Sequence, residues 1–515
     1  MAAVVTDQFR ILNASNFIDS VLDDNNSYYV FLGLPNSSVV GFGRTSDWST
    51  ATSGPPSPTD NFEYLSQYRD TGIFGKKVSS ANIRRVIRKV QWTTNTAYDM
   101  YRHDYSSTHT TPNSGTSRLY DSNYYVINSD FRVYICIDNG GKGTTDADRK
   151  GGRSKFEPTS TDLQPFSAGS DGYLWKYLFS ISPSDVIKFD STEYIVLPNN
   201  WETSTNSDIQ AVREAGDSDT QNNQIKKVYI KNAGLGYTSG TFDILGDGEG
   251  GKVDITVDSS GAITSTNVTT GGKNYTFGIV DLGRTGTISS TANLVPIIPP
   301  SKGHGYDVYT ELGADRVLIY ARFDDSTKDF PVDAKFAQVG ILKNPTSSDT
   351  GIGTFTGSTY SSLYALKLNS SYTGTPTVGE EVTQSQAGAG VTYTARGYVA
   401  SYDSSTKVLK YFKDRSLFLP NKLDQTDATT VKINSKIVDF NNTDGISFTS
   451  ATSTSVASGF TGSSENGVSL GVQFTGGLAN PEINKKTGDI IYIDNRPEVE
   501  RNLRQKEDVK IILEF

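Results

Sequence analysis

The stretch TGDIIYIDNRPEVERNLRQKEDVKIILEF, Thr487 to Phe515, contains the clearest structural signal in the sequence. Within it, Val509, Ile511, Leu513 and Phe515 occupy every second position, which is the period of a strand with one buried face. The bulky aromatic at its end predicts that this strand is docked in a sheet, because loose ends are normally polar. We therefore expect this segment to complete a core that begins far upstream.

The composition predicts a mainly β protein with several domains. The chain has 515 residues, too many for one simple core, so about two to four domains are expected. Its 28 Tyr, 24 Phe and 48 Gly are a mixture of strand-forming and turn-forming residues. We expect stacked antiparallel sheets, as in β-sandwich layers, in a discontinuous core with a few short helices.

The charge and the cysteine content exclude several classes of protein. The formal net charge is -9, whereas binding to nucleic acid or to an anionic membrane needs a basic face. No segment approaches the ~20 apolar residues of a membrane span, and the N-terminus lacks a secretory signal pattern. We expect neither a nucleic-acid nor a membrane partner. The sole cysteine, Cys136, lies in an apolar alternation that predicts a buried small hydrophobe.

Apolar spacing predicts several elements in the first two hundred residues. Asn13 is placed to cap a short helix over residues 14–23, and Tyr28–Leu32 follows as a strand. Gly54–Pro58 is proline-rich and predicts an extended loop, and the aromatic run Tyr173–Phe179 is expected in the core. A second helix face is predicted where β-branched residues alternate with basic ones: Ile83, Val86, Ile87 and Val90, with Arg84, Arg85, Arg88 and Lys89 between them.

A small internal repeat predicts an inserted β module. IKNAGLGYTSGTFDI, from Ile230, aligns with VTTGGKNYTFGIVDL, from Val268, at an offset of 38. Where the first copy has Gly236 the second has Asn274, and both residue types tolerate a positive φ, so the same turn is expected to recur. Residues 202–224, before the repeat, are almost wholly polar and are interpreted as a linker.

These patterns divide the chain into five segments. The core is expected to consist of residues 1–204, 300–345 and 476–515. Two inserted β modules, residues 205–299 and 346–475, are expected to interrupt it.

The chemically suggestive motifs do not assemble into a predicted active site. His103 and His109 are six residues apart in a polar stretch, which is not a helical zinc-binding spacing. Gly467–Gly471 matches the hydrolase pattern around Ser469, but no histidine and no helix pattern follows it. Gly140–Gly143 lacks the Gly-Lys-Ser/Thr of a phosphate loop and predicts a flexible turn.

The acidic motifs are equally weak. Asp243–Glu249 lacks the ligand ladder of a calcium loop, although a weak surface cation site stays open. Asp324–Asp325 and Glu380–Glu381 could suit glycoside hydrolysis, but adjacent pairs are expected by chance among 57 carboxylates. We predict no catalytic, cofactor-binding or metal residue, no cofactor and no small-molecule substrate. The basic cluster Arg84–Lys89 is expected to be a solvated helix face or to pair with an acidic neighbouring subunit.

Several segments together resemble one known family of structural proteins. They occur in the family's order and include a long aromatic segment and an Asp-Asn-Arg-Pro motif. The segments are GFGRTSDW from Gly41, GPPSPTD from Gly54, SDGYLWKYLFSISPSDVIKFDSTEYIVLP from Ser170, VLIYARF from Val317, GILKNP from Gly340 and TGDIIYIDNRP from Thr487. In these the chain resembles the baseplate wedge subunit of T-even-type contractile-tailed phages, the gene product eight family, with two inserted β modules.

The resemblance implies a function without catalysis. It implies a homodimeric structural subunit of the virion tail baseplate that contacts other baseplate wedge proteins and transmits rearrangement during tail contraction. No catalytic residue carries over, so we do not expect an enzyme. Two alternatives remain: a glycan-binding or glycan-degrading tail protein whose Tyr-rich and Gly-rich modules stack sugars, and a metal-dependent enzyme.

Overall fold

The fold is mainly β, as predicted, with 41% strand and 13% helix. The computed structural model describes residues 4–34, 55, 57–216, 224–283, 288–324, 335–348, 353–388, 391–413, 439–500 and 505–515. Of the segments that carry the family resemblance, the one from Gly41 lies wholly outside the described residues, and the one from Gly54 lacks Gly54 and Pro56.

The chain forms two compact units, each built from separated segments. Unit 1 comprises Met1–Ile18, Arg84–Leu318 and Ile511–Phe515, and unit 2 comprises Asp19–Ile83 and Ile319–Lys510. The division of the chain into five segments, which was inferred from sequence patterns, stays a prediction.

Most of the helices and of the first fourteen strands lie in unit 1, and those near the N-terminus lie partly in unit 2. The helices are α1 (Asp7–Leu22), α2 (Phe62–Thr71), α3 (Asp146–Arg149), α4 (Pro183–Phe189), α5 (Ser207–Gly216) and α6 (Val308–Glu311). The strands are β1 (Tyr28–Gly33), β2 (Gly72–Lys77), β3 (Ile83–Arg88), β4 (Tyr125–Ile127), β5 (Arg132–Asp138), β6 (Leu174–Ser180), β7 (Tyr194–Val196), β8 (Val228–Asn232), β9 (Gly240–Gly246), β10 (Glu249–Val257), β11 (Ile263–Lys273), β12 (Gly278–Val280), β13 (Asn293–Pro296) and β14 (Arg316–Phe323).

The remaining strands lie mostly in unit 2. They are β15 (Lys335–Lys343), β16 (Thr359–Ser361), β17 (Tyr364–Lys367), β18 (Glu381–Gly388), β19 (Val391–Asp403), β20 (Val408–Phe412), β21 (Gly445–Phe448), β22 (Thr454–Ser455), β23 (Gly462–Glu465), β24 (Val468–Phe474), β25 (Leu478–Ala479), β26 (Asp489–Glu500) and β27 (Glu507–Glu514).

Antiparallel pairing joins these strands into several sheets. Unit 1 contains a β4-β5-β6 sheet, a β11-β10-β9-β12 sheet and a β8-β13 pair. Unit 2 contains the five-stranded order β16-β2-β1-β15-β26, the seven-stranded order β22-β21-β18-β19-β20-β17-β25 and a β23-β24 pair. Within unit 1, β3 also pairs with β7, with Val86 opposite Val196.

The C-terminal strand and the aromatic run both lie where the sequence predicts. In β27, Ile511 is buried whereas Lys510 and Glu514 are exposed. The following Phe515 donates its backbone N–H to the carbonyl of Asp315 at 3.1 Å, and its ring centroid lies 5.5 Å from that of Phe17. The run Tyr173–Phe179 is largely buried and forms most of β6.

The helix predicted over residues 83–90 is wrong, because Ile83–Arg88 is strand β3. Consecutive residues Arg85, Val86 and Ile87 are all buried, so both faces of the strand are covered. A strand with two covered faces loses its two-residue alternation and can match a helical spacing by accident. The β-branched residues at these positions favour the strand that forms.

Two further predictions are corrected: the start of the first helix and the linker over residues 202–224. Helix α1 begins at Asp7 rather than after Asn13, and the Thr6 hydroxyl accepts the Phe9 backbone N–H at 3.3 Å in the capping position. Residues 207–216 of the expected linker form α5, whose first turn is capped by the Asn206 side chain. Burial of Val212 and Ala215 on one face stabilises this otherwise polar helix.

The recurring turn of the repeat is confirmed. Gly234 and Gly272 have φ values of 61° and 65°, and Gly236 and its counterpart Asn274 have 88° and 62°. In each copy a buried tyrosine packs against the first glycine, and its hydroxyl accepts a backbone N–H at 3.0–3.1 Å. The local sequence therefore builds the same glycine–tyrosine turn twice.

The two copies of the repeat face each other. Strands β9 and β12 pair antiparallel, with Ile279 opposite Leu245. Just beyond the ladder, the backbone N–H of Asp281 donates to the carbonyl of Asp243 at 3.0 Å, and these two residues are equivalent positions of the repeat. Equivalent positions that meet in an antiparallel pair are related by a local two-fold axis.

We expect Gly272→Ala to destabilise the module far more than Gly283→Ala. Both glycines have positive φ, so both variants carry backbone strain of about 1 kcal/mol. A Cβ on Gly272 would also lie 2.6 Å from the Glu249 carbonyl and 2.6 Å from the Tyr275 ring, whereas one on Gly283 would meet nothing within 4 Å. Urea unfolding should show an extra loss of about 2 kcal/mol or more for Gly272→Ala; equal losses would contradict the packing argument.

Candidate interaction surfaces

A buried cluster of ionisable side chains in unit 1 was not predicted from the sequence. Nδ1 of His304 lies 2.5 Å from Oε1 of Glu311, and both side chains are almost fully buried. The second carboxylate oxygen of Glu311 accepts the Gly305 backbone N–H at 2.7 Å. The Tyr101 ring packs edge-on against His304 with 4.7 Å between centroids. Because these groups are enclosed, they stabilise the chain around α6 and offer no access to a substrate.

Lys176 belongs to the same interior and interrupts the aromatic run. Its side chain is fully buried in β6, and Nζ donates to the carbonyl of Leu163 at 2.7 Å. Burial lowers the pKa of Lys176 to about 8, and the negative charge of Glu311 opposes this shift. Burial, followed by repulsion from Lys176, lowers the pKa of Lys226 to about 7. Two amines with weakened basicity therefore lie within unit 1.

We predict that replacing Lys176 by Met changes how stability depends on pH. The folded pKa of about 8 lies below the unfolded value of 10.5, so between these values the unfolded chain binds more protons and stability rises with pH. Relative to Lys176→Met, the wild type should gain about 3 kcal/mol from pH 8 to pH 10.5. Chemical unfolding at both pH values measures this, with Lys150→Met, at an exposed position, as the charge control. Parallel curves for wild type and Lys176→Met would contradict it.

The basic cluster is used within the chain, which corrects both sequence interpretations of it. The Arg84 guanidinium pairs with Asp185 at 3.0 Å, and Lys89 pairs with Asp190 at 2.7 Å. Arg85 lies over the Tyr309 ring, 4.0 Å from its centroid. Arg88 donates to the Ser122 carbonyl at 2.7 Å. These cations join β3 to neighbouring segments of unit 1, so they are not a solvated helix face and do not need a neighbouring subunit as partner.

The histidines do not meet in one place. Nδ1 of His103 accepts the Ile298 backbone N–H at 3.1 Å, and Nδ1 of His109 lies 3.1 Å from the Asp104 carbonyl. His304 is held in the buried cluster. Among the described residues, no group of three or more His, Cys, Asp or Glu side chains is placed to hold a metal ion. Cys136 is buried, which confirms the prediction of a small buried residue. Burial raises the pKa of its thiol well above the ordinary value.

The hydrolase and phosphate-loop motifs have ordinary structural positions. Ser469 lies inside β24 and pairs with Ser464 of β23, so it is not on a turn between a strand and a helix. Gly140 and Gly143 have positive φ values in a turn, as predicted. That turn is anchored, because the Gly143 N–H donates to the Ile230 carbonyl at 2.9 Å.

The acidic motifs are also accounted for by contacts within the chain. Glu380 accepts the backbone N–H groups of Thr377 and Ser450 at 2.6 and 2.7 Å. Its neighbour Glu381 lies 3.8 Å from the Arg396 guanidinium. In the pair Asp324–Asp325, Asp325 lies outside the described residues.

The segment that contains the repeat carries an exposed apolar surface, here called the module patch and made of Leu245, Phe277 and Ile279. Their side chains are 47%, 57% and 60% exposed. Ile279 is directly opposite Leu245 in the β9–β12 ladder, and Phe277 lies in the bend just before β12. Apolar residues that cluster on a surface in this way mark interaction sites.

Carboxylates surround the module patch. Asp247 accepts the Phe277 backbone N–H at 3.2 Å and the Thr276 N–H at 2.9 Å. The Thr276 hydroxyl, and then these N–H groups, lower the pKa of Asp247 to about 2, so the anion that fixes Phe277 persists in mildly acidic solution. Asp243 and Asp281 are also exposed nearby, and Lys252 pairs with Asp243 at 2.7 Å. Within the described residues the rim is therefore net negative.

An open groove of about 910 Å³ adjoins the module patch. Ile279 lines both surfaces, and Ile230, Leu282 and Leu294 contribute further apolar walls. Lys142 and Asp148 supply charges on the other side of the groove. The two repeat tyrosines, Tyr237 and Tyr275, are buried in the module core instead. They do not present ring faces to a sugar, and so give no support to glycan stacking by the repeat.

Comparison with known proteins identifies a distant relative. No family model matches the chain. A curated protein, baseplate wedge protein gp8 of Enterobacteria phage T4, is 27% identical over 215 residues, which are 38% of this chain and 60% of that protein. The chain is distantly related to this baseplate protein. It spans 60% of the length of the curated relative that it matches. Among the described helices, none combines the length and apolar character of a membrane span.

Proposed function

We propose that this protein is a structural subunit of a phage tail baseplate wedge. The partial identity with the T4 wedge protein is the single observation that carries the proposal. The mainly β fold with several antiparallel sheets supports it, since layered sheets with closely packed interiors resist deformation. The proposed location is the tail of the virion.

The proposed role is mechanical. Two compact units hold their shape, while surface residues bind neighbouring wedge proteins and a second copy of the chain. Contraction of the tail requires some of these contacts to exchange between discrete arrangements. The role includes no substrate turnover and no cofactor.

The module patch is the proposed contact with a neighbouring wedge protein. Its apolar centre supplies area that association can bury, and its acidic rim favours a partner surface that is basic at the edges. The two features together select a protein partner with an apolar centre and a basic surround.

Imaging of intact particles tests the location. We expect density for this chain to repeat around the tail axis at the baseplate in electron cryomicroscopy reconstructions of virions. Particles that infect normally while their tail ends lack this polypeptide would reject the proposal. Cross-linking mass spectrometry on the same particles identifies the neighbouring proteins.

Footprinting with hydroxyl radicals tests the module patch. In the free protein Phe277 and Ile279 should oxidise readily because they are exposed. In assembled particles both should be protected at least about tenfold, because a tight interface excludes solvent from its centre. The buried Tyr275 serves as the control, since its environment within the module does not change. Unchanged oxidation of Phe277 on assembly would exclude the patch as a contact, whatever the location of the chain.

A further inference from the structure

Helix α1 has two apolar faces, and within the part of the chain that the structure describes only one of them is buried. Ile11, Ala14 and Ile18 are buried at spacings of three and four residues. On the opposite side Phe9 and Leu12 are each 53% exposed, and Val5, just before the helix, is 60% exposed. A surface helix of a single folded unit needs one apolar face, so the second is available to a partner.

The exposed face is uncharged. Phe9, Leu12, Asn13 and Asn16 lie within about 100° of one another around the helix, at 100° per residue. They carry no ionisable group. From Val5 to Asn16 this surface, here called the α1 stripe, extends about 16 Å along the helix axis. An uncharged, partly apolar stripe opposite a buried face has the form of a helix-packing surface.

We propose that the α1 stripe packs against the α1 stripe of a second copy of this chain, antiparallel and across a two-fold axis. A two-fold interface brings the same patch of both copies together, so the patch must be self-complementary. This chain has a net charge of -9, so two copies repel each other at long range. The α1 stripe adds no repulsion of its own because it is uncharged.

The charges beyond the stripe favour the antiparallel arrangement. Asp19 and Asp23 follow the stripe at the C-terminal end of α1. In an antiparallel pair centred on the stripe, the aspartates of the two copies lie at opposite ends of the contact, about 25 Å apart along the helix axis. A parallel pair would instead place the aspartates of both copies side by side. The inference therefore specifies orientation as well as surface.

This inference rests on the homodimer within the proposed function and assigns it a surface. A contact between two short helices is smaller than the ~800 Å² per partner of a standard interface. Phe9 and Leu12 are thus expected to be the anchors of a larger contact, whose remaining area comes from around the stripe.

The test compares oligomeric state between the wild type and a double variant, Phe9→Ser with Leu12→Ser. Sedimentation of the full chain should give a dimer for the wild type and a dissociation constant raised at least about 100-fold for the variant. Ile187→Ser is the matched control, because Ile187 is a 76% exposed apolar residue on α4 of the same unit. The control should dimerise like the wild type. A monomeric wild type, or a double variant that dimerises normally, would overturn the inference.

A cross-linking variant gives a second test, in which the expected result is a gain of covalent dimer rather than a loss that misfolding could also cause. The chain has one native cysteine, Cys136, and it is buried. The thiol introduced by Leu12→Cys is therefore the one that an oxidant can reach. Under mild oxidation Leu12→Cys should form a covalent dimer, whereas Ile187→Cys should not. Equal yields from the two variants would reject the stripe. Either failure leaves the wedge role intact, because imaging of particles decides that role separately.

Discussion

Buried and half-buried tyrosines whose hydroxyls bond to backbone groups are the interaction on which both units depend. Tyr124 donates to the Glu311 carbonyl at 2.7 Å and Tyr309 to the Pro198 carbonyl at 2.7 Å in unit 1. Tyr29 donates to the Gly357 carbonyl at 2.8 Å in unit 2. Each ring supplies core volume, and each hydroxyl satisfies a backbone carbonyl in a loop or at a helix end, where no sheet ladder reaches. A chain with a single cysteine and only 35% hydrophobic residues thereby holds long loops in place.

This way of packing explains which features the sequence reveals and which it hides. The strand at the C-terminus and the hairpin of β10 and β11 follow from local rules, because one covered face produces alternation and Gly261 permits the turn at φ 74°. Strand β3 does not follow from local rules, because the residues that cover its two faces come from distant segments of the chain. Helix α5 was missed for a related reason: its few apolar residues matter only once other parts of unit 1 cover them.

The candidate surfaces were harder to predict than the fold. Exposed and buried apolar residues have the same chemistry, so Phe277 and Phe9 look like core residues until the structure shows their neighbours. The basic cluster was misinterpreted in the opposite sense, as a surface available to solvent or to a neighbouring subunit. Its partners Asp185 and Asp190 lie about a hundred residues away in the chain. The repeat was the exception, because the positive φ at Gly236 and Asn274 is a local requirement that the residue types themselves indicate.

The two-fold relation between the repeat copies also limits how the module can evolve. Repeats related by translation leave a free end at which another copy can stack, and such arrays grow. Here Asp243 and Asp281 meet near the axis, so the pair closes on itself, because a second two-fold rotation returns the first copy. Loss of either copy would strip the other of a partner strand.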